Sequence, residues 1–356
     1  MTHQLTRDEA RRIVVRAQLL DADRAGDVVE VAETLGAIKI DPTSTIAPAE
    51  HSILWSRIGL GYEPVQLSKA VETDRLLFEF DGAFRPMSLL PLMLPGMRRW
   101  PQRASTREWL EANDSFRTDV LARLRAEGRL RASDIPDTAT VTRPPDGWYG
   151  TNQVVHMLDF LQRQGEVAVV GREGRHRLWD LAERVYPQNL PEYELEEAER
   201  MLAERRLQAA GIAKQKSPWT RVGMAGEAAT VEGSSWKFRV DPEAIAALDD
   251  DPGGRVALLN PYDGMLFDRP RLKELFEFEY VLEQFKPKPQ RKYGFFAYPI
   301  LMGDRFVGML DAAASDDKLT VNAVHEFLPF DAEEDEMVRA EIADLAQWLQ
   351  VDVSAW

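Results

Sequence analysis

From about residue 255 onward, the hydrophobic period of this chain becomes that of strands, and this change constrains the fold more than any other feature. Before it, apolar residues recur at helical spacing; Ala10, Ile13 and Val14, for example, fall on one helical face. After it, segments such as YGFFAYPILM and DRFVGMLD have strand character, and turn residues separate them. The string DDDPGG at 249–254 combines charge with turn-forming residues and marks the boundary. We therefore predict helical modules followed by a β-domain.

The helical part repeats an order of helices followed by strands, which is typical of winged-helix modules. In the first module, two helices precede the strand AIKID, which Pro42 ends because proline cannot donate to a ladder. In the second, helical segments precede EVAVV and RHRLWDL, which the turn signal GREG joins into a hairpin. The predicted fold class is α+β, with tandem winged-helix modules before a small antiparallel β-barrel and a C-terminal helix. We expect four segments: winged-helix module 1 with the Lys39-Ile40-Asp41 strand (1–105), winged-helix module 2 (106–190), a degenerate winged-helix module 3 (191–250) and the β-barrel with its C-terminal helix (255–356).

Local capping signals set several helix ends. Thr6 and Glu9 have the spacing of a capping box, in which each side chain bonds the other residue's backbone amide. Gly36 is placed to end the second helix in the left-handed conformation. Near the C-terminus, Asp331 is placed to N-cap the closing helix, with acidic residues in its first turn.

Composition excludes several classes of protein. The 356 residues include no cysteine, so neither disulfides nor thiolate chemistry is available. The five histidines have no ligand-like spacing, and we expect no metal and no other cofactor. No apolar run reaches the roughly 18 residues of a membrane span, and the N-terminus MTHQLTRDEARR lacks a signal core. We therefore expect a cytoplasmic protein with no membrane partner, and we expect it to be a monomer.

The net charge of −15 argues against nucleic acid as a partner, yet the charge is unevenly placed. Basic residues concentrate at 98–107, 200–221 and 286–292, so one face of a bipolar surface can still hold phosphates. KPKPQRKYG is a candidate backbone-binding loop, because prolines stiffen it and four cations accompany a tyrosine. The arginines at the predicted hairpin tip are also candidates, although tips and charged loops are often polar for solubility alone. The candidate DNA-binding residues of these two regions are Arg172, Arg175, Lys286, Lys288, Arg291, Lys292 and Tyr293.

The strand AIKID raises a specific question, because two charged side chains alternate with two isoleucines. A strand places Lys39 and Asp41 on one face, roughly 6.5–7 Å apart at Cα, so that both can reach one ligand or each other. As an exposed ion pair they would contribute at most about 1 kcal/mol. As a chemical pair, they would offer a carboxylate that stabilises positive charge and positions a water molecule.

Three stretches of the chain resemble the AlkZ/YcaQ-type DNA glycosylases, tandem winged-helix proteins implicated in unhooking interstrand crosslinks. LGAIKIDPTSTIAPAEHSILWSRIG is similar to the family's first-module segment, and GWYG with LQRQGEVAVVGREGRHRLWDLAERVYP is similar to its second wing. The most specific likeness is LLNPYDGMLFDRPRLKELFEFEYVLEQFKPKPQRKYGFFAYPILMGDRFVGMLD, which resembles the C-terminal barrel. The resemblance implies three winged-helix units and a β-barrel around a DNA channel.

The resemblance also implies a catalytic motif, which is Gln-x-Gln in one branch of the family and Gln-x-Asp in the other. Asp41 matches the aspartate, whereas Lys39 stands where the motif has glutamine. His51 matches a helix histidine that would bond a phosphate, although a lone histidine beside a core helix is commonly structural. Arg57 ends the same helix as a further candidate DNA contact. Three roles are open for Lys39: a positioning group on a phosphate, a neutral nucleophile that forms a Schiff base, or no catalytic role.

The activity implied is that of a hydrolase, a DNA glycosylase that excises bulky or crosslinked N-alkylpurines of the N7-alkylguanine type from double-stranded DNA. Asp41 would stabilise the oxocarbenium-like sugar and position water. Because Lys39 replaces the glutamine, the alternative is a catalytically altered DNA-binding protein, either a damage sensor or a regulator. A third possibility is a protein that sequesters a genotoxin directly.

Overall fold

The computed structural model describes three ranges of the chain: residues 2–143, 151–249 and 253–354. The string GWYG (147–150), which is part of the resemblance, lies outside them. The chain forms two compact units, of which the first combines Met1–Gln66 with Ala203–Trp356 and the second is Leu67–Leu202. The predicted division into four modules stays a prediction. None of the helices in the described ranges is both long and apolar enough to cross a membrane.

The first unit begins with helices whose ends are fixed by residues close in sequence. The predicted capping box is confirmed: Glu9 N donates to Thr6 Oγ1 at 3.2 Å, and Thr6 N donates to the Glu9 carboxylate at 2.7 Å. Gly36, with a φ of 68°, ends the second helix as predicted. The helices of this unit are Arg7–Ala17, Val28–Leu35, Ala49–Ile58, Pro242–Ala246, Arg269–Phe276 and Ala332–Leu349, and the boundaries between the units fall within Pro64–Ser68 and Leu195–Ala210.

The N-terminal segment adds a strand that the sequence analysis did not predict. Thr2–Leu5 pairs in parallel with Glu227–Val231. Phe238–Val240 and Ile212–Lys214 complete this four-stranded sheet through antiparallel pairings. The sequence THQL is too short to show the alternation of apolar and polar residues that indicates a strand. The strand forms because a distant part of the chain supplies its hydrogen-bonding partner.

A curled five-stranded sheet forms the β-domain of the first unit, so the α+β class is confirmed and the predicted barrel is a half-barrel. Neighbouring strands are antiparallel except the last pair, which is parallel. Gly308 lets two of the strands approach closely, since a Cβ at this position would lie 2.6 Å from the His325 carbonyl oxygen. In order across the sheet, the strands are Val256–Leu258, Tyr298–Met302, Arg305–Ala314, Lys318–Glu326 and Asp352–Val353.

One predicted strand of the β-domain, FEFEYVLEQF at 276–285, is wrong. The helix Arg269–Phe276 occupies its start, and Glu277, with a φ of 54°, ends that helix in the left-handed conformation. Phe278 and Tyr280 are buried in the core, whereas the residues on either side of them face solvent. Buried and exposed residues therefore do alternate in this segment, as in a strand. Within the described residues, however, the segment packs on the core as extended chain and joins no sheet. Periodicity alone does not distinguish the two outcomes.

The closing helix Ala332–Leu349 begins as predicted at Asp331. The Asp331 carboxylate accepts from Glu334 N at 2.9 Å, and Asp331 N donates to the Glu334 carboxylate at 3.2 Å. Near the other end of this helix, Trp348 stacks on Trp55 with ring centroids 5.8 Å apart. The stacking fixes the helix Ala49–Ile58, which we call the site helix, against the closing helix.

The second unit contains the predicted hairpin, formed by Val167–Glu173 and His176–Leu181. A helix capped by Gly165 in the left-handed conformation leads into it, and the short strand Leu130–Arg131 pairs with its second strand. Helix, strand, helix and hairpin follow one another in the order of a winged helix, and the assignment of that motif stays a prediction. The other elements of this unit are the hairpin of Leu77–Phe80 with Ala83–Pro86, the π-helical turn Lys69–Thr73 and the helices Leu90–Arg98, Ala104–Ala112, Asp114–Glu127, Gln153–Gln164 and Ala182–Val185.

Candidate active site

Asp41 lies just beyond the strand Ile38–Lys39, which is shorter than the predicted AIKID. Its backbone N–H donates to the Glu50 carboxylate at 3.3 Å, and Pro42 has no N–H to offer a ladder. Asp41 is only 5% exposed, whereas Lys39 is partly exposed. Because Asp41 is buried, the interpretation of the two residues as an exposed ion pair is wrong.

The Asp41 carboxylate is held by its own loop. Thr43 N donates to Asp41 Oδ1 at 2.9 Å, which is the geometry of a turn closed by an aspartate side chain. Asp41 Oδ2 accepts no hydrogen bond from the described residues. A buried carboxylate with one oxygen fixed and the other available to a ligand is suited to stabilising positive charge nearby.

The loop between Asp41 and the site helix is anchored at both ends and in the middle. Ala49 N donates to the Asp41 carbonyl oxygen at 3.3 Å, and Ala314 N donates to the Thr45 carbonyl oxygen at 2.7 Å. These bonds fix the loop to the site helix and to the long strand Arg305–Ala314. Glu50 is not among the residues predicted from the sequence. The signal that indicates it is an acidic residue in the first turn of a predicted helix, nine positions after Asp41.

His51 follows Glu50 on the site helix and is paired with a buried tyrosine. Its Nδ1 lies 2.7 Å from the Tyr62 hydroxyl. Burial lowers the pKa of His51, so the imidazole is neutral at pH 7. Burial, reinforced by the charge of Glu50, raises the pKa of Tyr62, which keeps its proton. Because a buried hydroxyl needs an acceptor, and His51 Nδ1 is the acceptor within the described residues, we infer that Tyr62 donates and that His51 carries its proton on Nε2.

Replacing Tyr62 by Phe is therefore expected to change the tautomer of His51. In the native protein, NMR of the imidazole nitrogens should show an Nε2–H ring that titrates below 6.5, the ordinary pKa value. In Tyr62→Phe the ring should populate both tautomers, since Nδ1 loses its donor. Tyr293→Phe is the control, because the Tyr293 ring contacts His325 edge-on and leaves His51 untouched. A native His51 that titrates at or above its ordinary value would contradict the inference.

Arg57, a predicted DNA contact, is wholly buried, and that prediction is wrong. Its guanidinium forms a two-pronged ion pair with the Asp263 carboxylate, in which Nη2 lies 3.0 Å from Oδ1. Its Nε donates to the Gln18 carbonyl oxygen at 3.1 Å. Arg57 is 0% exposed, and its guanidinium is paired inside the protein. This pairing fixes the site helix to the β-domain.

A second buried contact fixes the middle of the site helix to the same domain. The Tyr298 hydroxyl lies 3.1 Å from Ser52 Oγ and accepts from Asn260 Nδ2 at 3.0 Å. Tyr262 N donates to Asn260 Oδ1 at 2.9 Å. Asn260 and Asp263 come from the string NPYDG, which the sequence indicates only as a turn. Together these contacts make the site helix a rigid support for Asp41 and His51.

The hairpin arginines of the second unit contact an internal acid. Arg172 Nη2 lies 2.8 Å from the Glu79 carboxylate, which is 2% exposed, and Arg177 also pairs with it. Arg172 would have to give up this partner to bind a phosphate. Arg175 lies at the hairpin turn with its side chain exposed. Of the two predicted residues, Arg175 is therefore the better placed for DNA.

The five predicted residues of KPKPQRKYG lie together in the first unit, in a segment that we call the basic loop (Lys286–Tyr293). Glu283 organises it: Lys286 Nζ donates to this carboxylate at 2.8 Å, and Lys292 N and Tyr293 N donate at 2.7 and 2.8 Å. Burial raises the pKa of Glu283, but these hydrogen bonds outweigh it, and the net pKa is lowered. Glu283 stays charged and holds the loop, a role the sequence analysis missed.

In the described ranges, no cluster of three or more His, Cys, Asp or Glu side chains is arranged to hold a metal ion. A sequence model of the family described as DNA glycosylase AlkZ-like matches residues 32–348, most of the chain. The chain belongs to the AlkZ-like DNA glycosylase family. The solved structure of the Streptomyces sahachiroi DNA glycosylase AlkZ is similar to it, with 16% sequence identity, a TM-score of 0.67 and coverage of 99% of each chain. At this identity the likeness shows the fold.

In this member of the AlkZ-like family, the predicted site residues divide between the two units. Lys39, Asp41, His51 and the basic loop belong to the first unit, whereas Arg172 and Arg175 belong to the second. The family match confirms the predicted resemblance, and it implies DNA as the substrate. The roles of the individual residues in catalysis and DNA contact stay predictions.

Proposed function

We propose that this chain hydrolyses the N-glycosidic bond of bulky or crosslinked N-alkylpurines in double-stranded DNA, with Asp41 beside the reacting sugar. One observation carries the proposal: a buried carboxylate, fixed through Oδ1 by Thr43, keeps Oδ2 for a ligand on a rigid support. Family membership supplies the class of reaction.

An N7-alkylated guanine already carries positive charge, so its departure needs no acid from the protein. The C1′–N9 bond breaks with its electron pair going to the base, and positive charge develops on the sugar. Asp41 stabilises that charge, and a poorly solvated carboxylate does so more strongly than one in water. Water then attacks C1′ and loses a proton to the carboxylate, which leaves an abasic site.

His51 is suited to hold the DNA backbone beside the lesion. A neutral imidazole with a proton on Nε2 donates to a phosphate oxygen without adding a positive charge near a cationic base. Lys39, the last residue of the strand Ile38–Lys39, is suited to the same task as a positioning group on a phosphate. In this arrangement the carboxylate performs the chemistry and the two basic residues orient the substrate.

Lys39 also motivates a second candidate function, a DNA-binding protein without hydrolysis. The family motif has glutamine at this position, and a protonated lysine opposes a cationic transition state. A neutral Lys39 would instead attack C1′ and form a Schiff base with the opened sugar. The three outcomes leave different products on the same DNA.

The deciding experiment incubates the protein with duplex DNA that contains N7-alkylguanine, with and without borohydride, and measures abasic sites and covalent adducts. We expect abasic sites without a trapped adduct. A borohydride-trapped adduct that Lys39→Ala removes would assign lysine as the nucleophile. Salt-dependent binding without product on any alkylated duplex would support the DNA-binding protein and contradict the glycosylase.

A further inference from the structure

Phe285 presents almost its whole side chain to solvent immediately before the basic loop. It is 84% exposed, which is unusual for a large aromatic residue in a folded domain. An exposed phenylalanine in a flexible tail would need no explanation, but this one lies between residues that are fastened to the protein. Its exposure is therefore a property of a fixed structure.

Both neighbours of Phe285 are held inward. On one side, Gln284 Nε2 donates to the Tyr262 hydroxyl at 2.7 Å, and Glu283 binds the basic loop. On the other side, Lys286 N donates to the Glu283 carbonyl oxygen at 2.9 Å and closes a turn. The turn has Phe285 near its apex, and the prolines that follow limit its motion. The ring thus projects from a rigid base.

The surroundings of Phe285 are cationic. Lys288 and Lys292 are exposed, and Arg291 lies partly exposed over the Phe295 ring at 4.9 Å. Two nearby acidic residues do not cancel this charge at the surface: Glu283 is buried under the loop, and Glu279 forms an ion pair with Lys273. A projecting aromatic ring flanked by cations fits a polymer with stacked apolar faces inside and phosphates outside, and DNA is such a polymer.

The base of the turn is linked to the candidate active site within the first unit. Gln284 bonds Tyr262, and the Tyr262 ring contacts Phe296 at 5.6 Å between centroids. Phe296 contacts Tyr298, whose hydroxyl reaches Ser52, the neighbour of His51 on the site helix. A ring inserted into DNA at this turn would therefore keep a fixed relation to the site helix and to a nucleotide bound there.

We propose that Phe285 is a wedge that inserts between base pairs of duplex DNA, while the cations of the basic loop bind the flanking phosphates. The inference rests on the proposed function in taking duplex DNA as the ligand. Insertion unstacks a base step and kinks the duplex, which exposes a lesion too bulky or crosslinked to leave the stack. The wedge itself makes and breaks no covalent bond, so its effect is separable from that of Asp41.

The test uses a duplex with 2-aminopurine, whose fluorescence rises when it is unstacked, and compares three variants of the full chain. Native protein should raise the fluorescence, and Phe285→Ala should abolish the rise while weakening binding about 10-fold. Phe285→Trp should retain the rise. Leu328→Ala is the matched control, since Leu328 is also apolar and 78% exposed but lies outside the turn.

Two further measurements separate a wedge from a phosphate contact and from the glycosylase proposal. The salt dependence of binding should be the same in Phe285→Ala as in the native protein, because no phosphate contact is lost. Asp41→Asn should unstack the probe normally, and native protein that unstacks the probe but releases no alkylated base would contradict only the proposed reaction. If Phe285→Ala keeps the fluorescence rise and the native affinity, or if native protein causes no rise, the wedge is overturned.

Discussion

Replacing Asp41 by Asn is expected to lower single-turnover release of N7-alkylguanine from duplex DNA by about 10²–10³-fold, the range found when one preorganised electrostatic group is removed. Asparagine has nearly the same shape and no charge, so it loses both the stabilisation of the sugar cation and the base that receives the water's proton. DNA binding should change little, because the carboxylate acts on charge that develops during bond cleavage.

The local fold should survive this change. The asparagine side chain would keep an oxygen to accept from Thr43 N, as Asp41 Oδ1 does at 2.9 Å. The backbone bonds that anchor the loop involve the Asp41 N–H and carbonyl, which are unchanged. The thermal midpoint of Asp41→Asn should therefore stay close to that of the native protein. A lower rate of base release would then reflect the chemical step and not unfolding.

Asp27→Asn is the matched control for removing one carboxylate from the same unit. Asp27 caps the second helix by accepting from Val29 N and Glu30 N, and asparagine is an equally good N-cap. Asp27→Asn should release base at the native rate. If Asp41→Asn does the same, Asp41 has no part in the mechanism, and Glu50, the other carboxylate near the loop, becomes the residue to replace.

Features fixed by a few neighbouring residues could be predicted from the sequence. The capping box at Thr6, the left-handed stop at Gly36 and the N-cap at Asp331 depend on side chains and backbone within one or two helical turns. The hairpin Val167–Leu181 follows from two alternating runs and a glycine turn. In each case the physical cause lies within the segment that shows the pattern.

Features that depend on distant partners could not be predicted in this way. The strand Thr2–Leu5 exists because Glu227–Val231 lies beside it, and no pattern in THQL indicates that pairing. The alternation at 276–285 has the right period for a strand, yet its residues pack on a core without a neighbouring strand edge. Glu283 and Asn260 gain their roles from hydrogen-bond partners brought to them by the fold.

The candidate site shows the same division. The sequence singles out Asp41 and His51 through resemblance and residue type, but it does not show that Asp41 is buried or that Tyr62 orients His51. For Arg57, the sequence suggests a role in DNA contact that the structure contradicts. An arginine at the end of a helix in a DNA-binding protein suggests a phosphate contact, whereas burial and an internal acid partner decide its role.

Replacing Arg57 by Met is expected to destabilise the first unit by about 3–5 kcal/mol, because it leaves the Asp263 carboxylate buried without its cation. Methionine restores much of the apolar volume of the arginine stem, so the loss reports the ion pair more than a cavity. The Gln18 carbonyl oxygen also loses its donor, which adds to the cost. Denaturant unfolding followed by tryptophan fluorescence measures the change, since Trp55 lies on the same helix.

Arg305→Met is the control for the same substitution at an exposed ion pair. Arg305 is 64% exposed and lies 3.8 Å from the Glu334 carboxylate, so its loss should cost no more than about 1 kcal/mol. The two variants should therefore differ by several-fold in their effect on the denaturation midpoint. If Arg57→Met instead unfolds like the native protein and weakens DNA binding with a shallower salt dependence, Arg57 contacts phosphate after all and the site helix has a different anchor. If stability falls as expected, the helix that carries His51 is held by a buried ion pair, and loss of base release in Arg57→Met is an indirect effect of a misplaced site helix.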